Sequence, residues 1–153
     1  MAIDLHIHDV DLIRFLMGGD PDAINSTVHT SPDETIDHVW SCYKYGDATV
    51  SCEASWDYPA SMPFDAGFRV RFEKATVLSA PDRKVMVYPE DGEPYEYQVP
   101  EHLCYVDEVE DFIRCILEDR ESEINPPESS LVSLKIALAE KLSANRGSKK
   151  IYL

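Results

Sequence analysis

Residues 4–11, "DLHIHDVD", set three carboxylates (Asp4, Asp9, Asp11) and two imidazoles (His6, His8) among Leu5, Ile7 and Val10. Asp4 and His8 stand four apart, a spacing at which a carboxylate can hydrogen-bond an imidazole or share its substrate. A neighbouring carboxylate favours the imidazolium and fixes its tautomer, which suits a general acid/base working near neutral pH. The same residue types permit a metal face, with His6 or His8 beside Asp4, Asp9 or Asp11. No distant His/Cys set completes such a face, because His29, His38 and His102 are scattered through strands and a loop. No metal site is expected, and a chelator should leave the melting temperature unchanged. The third reading is structural: Asp9 or His8 caps a helix and Asp11 faces solvent near its positive end.

The elements that must position these groups follow from periodicity. Val10, Leu12, Ile13, Leu16 and Met17 fit a short helix from about Asp9 to Met17, stopped by Gly18-Gly19 and followed by Pro21. A β-rich region comes next. "INSTVHT" and "IDHVWSCYKY" read as strands, the second turning at Gly46-Asp47 into "ATVSCEASW". "GFRVRFE" alternates, with Phe68, Val70 and Phe72 opposite Arg69, Arg71 and Glu73, and "ATVLSA", "KVMVY" and "EYQV" continue as short strands. The last third changes period. Val106, Val109, Phe112, Ile113, Ile116 and Leu117 make one helical face near 105–119. A second helix near 126–145 has Asn125 as N-cap, Pro126 at the first helical position and Glu128 at the capping-box position. "KKIYL" is a closing strand.

This order predicts an α+β fold: a largely antiparallel mixed sheet with both late helices packed on one face, forming a single domain over 1–153. In "IDHVWSCYKY", Trp40 and Cys42 alternate with Val39 and Tyr43, so both faces of that strand carry apolar groups. A homo-oligomer joined through the open sheet face is the expectation.

Composition narrows the function classes. The chain has 153 residues, 44% of them hydrophobic, and a formal charge of −15, which repels phosphate backbones and excludes nucleic acid as a partner. No apolar run approaches the ~20 residues of a membrane span and no signal segment opens the chain, so a cytoplasmic address is expected. Cys42 and Cys52 flank the Gly46-Asp47 turn; a tight turn puts them opposite Ser51 and Ser41, on different faces, where they cannot pair. Cys104 and Cys115 read as buried free thiols. The six glycines build neither GxGxxG nor GxxxxGK[ST], so neither phosphate-cradling loop is present.

Taken together, the segments resemble a known family. "DLHIHDVDLIRFLMG" is similar to the D-x-G-x-H-x-x-D-x-x-x-x-L-x-G segment of the glucose–fructose oxidoreductase/inositol dehydrogenase/MocA (Gfo/Idh/MocA) family. "YKYGDATVSCEASW" resembles its hairpin, "FRVRFEKATV" its strand pair, "YVDEVEDFIRCI" its Y-x-x-E-x-x-x-F-x-x-x-I helix, and "SLVSLKIALAEKLSANRGSKKIYL" its closing helix and strand. The resemblance is to the C-terminal half of such enzymes, whose N-terminal Rossmann half binds NAD or NADP and carries a lysine in an E-K-P motif. It implies a substrate-binding and oligomerisation domain acting on a sugar, polyol or related hydroxyl compound, with the Rossmann half absent and no cofactor-binding residue in this chain. His8 is implied as the general acid/base, and Asp4 as the group that holds the substrate hydroxyl or orients His8. His6 stands where the commonest pattern has Gly, and is expected to pack as a satisfied histidine. The isolated chain should neither bind NAD(P) nor turn over a polyol. The alternative is a non-catalytic scaffold or ligand-binding module with the same fold.

Overall fold

A computed structural model describes residues 3–79, 84–99, 104–124 and 126–153, which divide between two compact units. The first unit comprises residues 1–59 and 121–153, the second residues 60–120. The fold is α+β, and every strand pairing among the described residues is antiparallel. The strands form two four-stranded sheets rather than one.

In the first unit, helix α1 (His6–Met17) precedes strands β1 (Ala23–Thr30), β2 (Ile36–Tyr45) and β3 (Ala48–Ser55). Gly18 ends α1 in the left-handed conformation at φ 72°, its N–H returning to the last turn, as a C-terminal glycine does. The β2–β3 hairpin turns on Gly46-Asp47, with Tyr45 opposite Ala48 and Gly46 at φ 51°, a value that favours a residue without Cβ. The closing helix (Pro127–Asn145) and closing strand (Ile151–Tyr152) complete the unit, giving a sheet in the order β3-β2-β1 with the closing strand beside β1.

Alternation decides which side of this sheet is covered. On β2, Val39, Ser41 and Tyr43 are buried, while Trp40 and Cys42 are exposed. Val10 of α1, Ile24 of β1, Tyr43 of β2 and Ile136 of the closing helix form the core, with Ile13, Tyr45, Val50, Val132 and Ile151 packed around them. The opposite face carries Trp40, stacked on His38 at 3.6 Å between ring centroids.

The second unit holds β4 (Arg69–Arg71), β5 (Ala75–Ser79), β6 (Val85–Pro89) and β7 (Tyr95–Tyr97), paired in that order, and helix α2 (Cys104–Glu118). The closing helix and strand are α3 and β8. The strand from "GFRVRFE" shrinks to three residues, and Phe72, just past its end, donates its N–H to the Ala75 carbonyl and is exposed. The expected apolar face of α2 is in place, but Val109, Phe112, Ile116 and Leu117 are exposed on this chain. Cys115 is buried, whereas Cys104, at the first position of α2, is exposed and so departs from expectation.

Three local expectations change. Helix α1 begins at His6, three residues earlier than the apolar pattern suggests, with Leu5 at the cap position and no side-chain cap. Pro126 occupies the cap position of α3 and Pro127 its first turn; Asn125 lies outside the described residues. The Cys42–Ser51 and Ser41–Cys52 pairings place the two thiols on opposite faces, as the turn predicts. No helix among the described residues is long and apolar enough to cross a membrane.

Candidate functional site

Starting α1 at His6 rotates the whole titratable segment. His6, Asp9 and Val10 lie over the sheet, and His6 is fully buried (0% exposed). Its Nδ1 is 3.1 Å from Asp9 Oδ2, one turn along the same helix. Its Nε2 is 3.1 Å from Oε1 of Glu140, which α3 delivers from 134 residues away. The Tyr43 hydroxyl of β2 donates to the same Glu140 oxygen and lies 3.4 Å from His6 Nε2. Cys52 of β3, on the covered face beside Ser41, puts its Sγ 3.9 Å from His6 Nδ1.

Burial alone would drive His6 towards the neutral ring. Hydrogen bonds to Asp9, Cys52 and Glu140, with the Glu140 charge, outweigh it and push His6 up to about 11. The flanking carboxylates therefore favour the charged ring in the core. Burial, then the Glu140 charge and hydrogen bond, hold the Tyr43 phenol far above its usual range. Burial likewise pushes the Cys52 thiol up. Glu140 Oε2 is buried and has no hydrogen-bond partner.

Asp11 is also engaged. It accepts from Ser133 Oγ of α3 at 2.7 Å and lies 3.5 Å from Arg14, so it ties two helices together while its side chain stays half exposed to solvent. Arg14 reaches Ser129 and Ser133 of α3 and Asp20 beyond α1.

What remains free are the two residues singled out for catalysis. Asp4 sits in the turn ahead of α1 and His8 in its first turn, both exposed. No hydrogen bond joins them among the described residues. Asp4 lines a cleft of about 750 Å³ within the first unit, together with Thr30, Glu34 and the α3 residues Lys141 and Asn145. His8 does not line it. Sequence reasoning placed Asp4 and His8 but not Tyr43, Cys52 or Glu140. Only the alternation of β2 and β3, which puts Tyr43 and Cys52 on one face, offered a signal for two of those three.

The strands of this chain all pair antiparallel among the described residues, so no βαβ crossover offers a helix N-terminus to a pyrophosphate.

The family model described as the GFO/IDH/MocA C-terminal domain matches residues 1–78. No curated protein sequence matches the chain. Among solved structures, an aldose-aldose oxidoreductase from Caulobacter crescentus complexed with glycerol superposes with a TM-score of 0.81 at 19% identity, over 96% of this chain and 45% of that one. A UDP-N-acetylglucosamine 3-dehydrogenase from Acidithiobacillus ferrooxidans superposes with a TM-score of 0.81 at 16% identity, over 95% of this chain and 47% of that one. The chain thus spans about half the length of these structures, and at such identities the likeness is one of fold.

Proposed function

The chain belongs to the GFO/IDH/MocA C-terminal domain family, and on that premise we propose that it forms the substrate-binding and oligomerisation half of an NAD(P)-dependent oxidoreductase. Its substrate would be a sugar, polyol or related hydroxyl compound, its location the cytoplasm, and its dinucleotide would be held by a separate Rossmann half. One observation carries the reading. Of the five titratable groups in residues 4–11, His6, Asp9 and Asp11 are bound to neighbours inside the fold. Asp4 and His8 alone are left exposed without a mutual bond. Groups kept free at one end of a helix, when their neighbours are all used, suit contact with a molecule from outside.

The nicotinamide, when bound by the other half, supplies the acceptor or donor of hydride. This chain supplies proton handling and placement. His8, as general base, takes the proton of the substrate hydroxyl while the carbon becomes a carbonyl, and returns it in the reverse direction. Asp4 accepts a hydrogen bond from the substrate or from His8, and so fixes the angle at which the hydroxyl meets the imidazole. Trp40 and Cys42, exposed on the uncovered sheet face, suit the contact with a second copy.

In the enzyme joined to its dinucleotide-binding half, His8→Ala should cost roughly 10²–10⁴-fold in turnover, followed by nicotinamide absorbance. Asp4→Asn should cost less, since an amide still hydrogen-bonds. Full activity in the His8→Ala enzyme, or reduction of NAD(P) by this chain alone, would overturn the assignment.

A further inference from the structure

We propose that His6 Nδ1, Asp9 Oδ2 and Cys52 Sγ form a site for a divalent zinc-class ion, with Glu140 as the partner that orients the imidazole. This goes beyond the oxidoreductase reading and does not depend on it. The three donors come from α1 and β3 and lie within 4.8 Å of one another. Around a tetrahedral zinc, nitrogen, oxygen and sulfur ligands at their usual bond lengths stand about 3.3–3.7 Å apart. The observed Nδ1–Oδ2 and Nδ1–Sγ distances, 3.1 and 3.9 Å, bracket that range. Imidazole, carboxylate and thiolate are the donor types that such an ion takes.

The far side of the ring supplies an independent observation. Metal-ligating histidines give their other ring N–H to a carboxylate, which fixes tautomer and orientation. Glu140 does this at His6 Nε2, and Tyr43 donates to the same oxygen. Glu140 is 1% exposed and keeps a second oxygen without a partner, so its charge is invested wholly in this spot. A histidine needed only to fill the core would not require a buried carboxylate brought from another helix.

The ion takes the place of the proton between His6 Nδ1 and Asp9 Oδ2, and the Cys52 thiol gives its proton to solvent to become the thiolate ligand. Solvent reaches the site through Asp9, whose side chain is 41% exposed, and a water completes the four ligands. The lack of a distant Cys or His argued against a metal in the sequence; Cys52, folded onto the same face as Tyr43, supplies that ligand. The bound ion would cross-link α1, which carries His8, to β3.

The test titrates purified, chelator-stripped protein with Co²⁺ alone and reads the near-ultraviolet thiolate-to-cobalt charge-transfer band. The band should appear at one ion per chain, vanish in Cys52→Ser, and persist in Cys42→Ser and Cys104→Ser. Asp9→Asn, a change at a half-exposed position, should weaken binding about tenfold or more. Zn²⁺ should raise the melting temperature of the wild-type protein and leave that of Cys52→Ser unmoved. If Cys52→Ser does not fold, Asp9→Asn and the cysteine controls still decide the matter. No band in the wild type, or a band insensitive to Asp9→Asn and Cys52→Ser, overturns the site.

Discussion

The first sheet carries a histidine between two carboxylates on each of its faces, and the two arrangements differ in nearly everything but composition. On the covered face His6 meets Asp9 and Glu140, both at 3.1 Å. On the open face His38 meets Glu53 at 2.9 Å and Asp57 at 3.3 Å. The distances alone do not separate the two clusters. Burial does. Glu140 is 1% exposed, whereas Glu53 and Asp57 are 49% and 36% exposed and can exchange their partners for water. The inner carboxylate has no such exchange, so removing its charge leaves the buried imidazole with Asp9 as its one carboxylate partner. Geometry says which groups meet; the surrounding medium says what the meeting is worth.

The matched substitutions Glu140→Gln and Glu53→Gln test this, since each swaps a carboxylate for an amide of the same shape. In metal-free protein Glu140→Gln should cost about 1.5–3 kcal/mol, read from urea unfolding, the range for a buried hydrogen bond to a charged group, since Asp9 still faces the ring. A loss below about 1 kcal/mol would erase the contrast between the faces. Glu53→Gln should cost roughly 0–1 kcal/mol. That smaller effect has a defined pH window. The Tyr58 hydroxyl, then His38, hold Glu53 below the usual carboxylate range. Its folded value lies below its unfolded one, so its stabilisation is present above the ordinary glutamate range and lost as pH falls through the depressed value. The gap between wild type and Glu53→Gln should therefore close in acid, and a gap that widened would reverse the assignment. Trp40→Ala should disturb the fold least, because Trp40 already lies 43% exposed. Its effect belongs to assembly: in sedimentation across a concentration series it should shift the protein towards monomer. An unchanged profile would remove the open face as the subunit contact.

Much of the inner cluster was hidden from the sequence for a reason that α3 makes plain. Periodicity finds helices by their apolar stripes, and it placed α2 and α3 to within a residue or two. The buried stripe of α3, however, is Ser133, Ile136, Ala137, Glu140 and Ser143, while Leu131, Leu138 and Leu142 are exposed. A pattern read for hydrophobicity puts Glu140 in solvent. The β2–β3 hairpin was legible because a two-residue turn fixes register by counting, so Tyr43 and Cys52 could be assigned a shared face. That His6 would occupy that face was not legible. It depends on α1 starting before the first clearly apolar residue, without a capping side chain to announce it. The second sheet escaped for another reason: short alternating strands specify their pairing locally but not the number of sheets they build.

The stripe of α3 also dictates how that helix can move. Ser133 is spoken for by Asp11 and Arg14, Glu140 by His6 and Tyr43, and Ser143 by the Ser26 N–H and the Lys149 carbonyl. A greasy stripe can creep, because one methyl group serves nearly as well as the next. This one is notched like a key. Sliding α3 by a single turn, about 5.4 Å, would take every notch out of its ward at once. No intermediate step keeps half of them. The helix therefore has one seated position and no neighbouring one, and through Asp11 and Arg14 that position also fixes where α1, and the His8 it carries, stands against it.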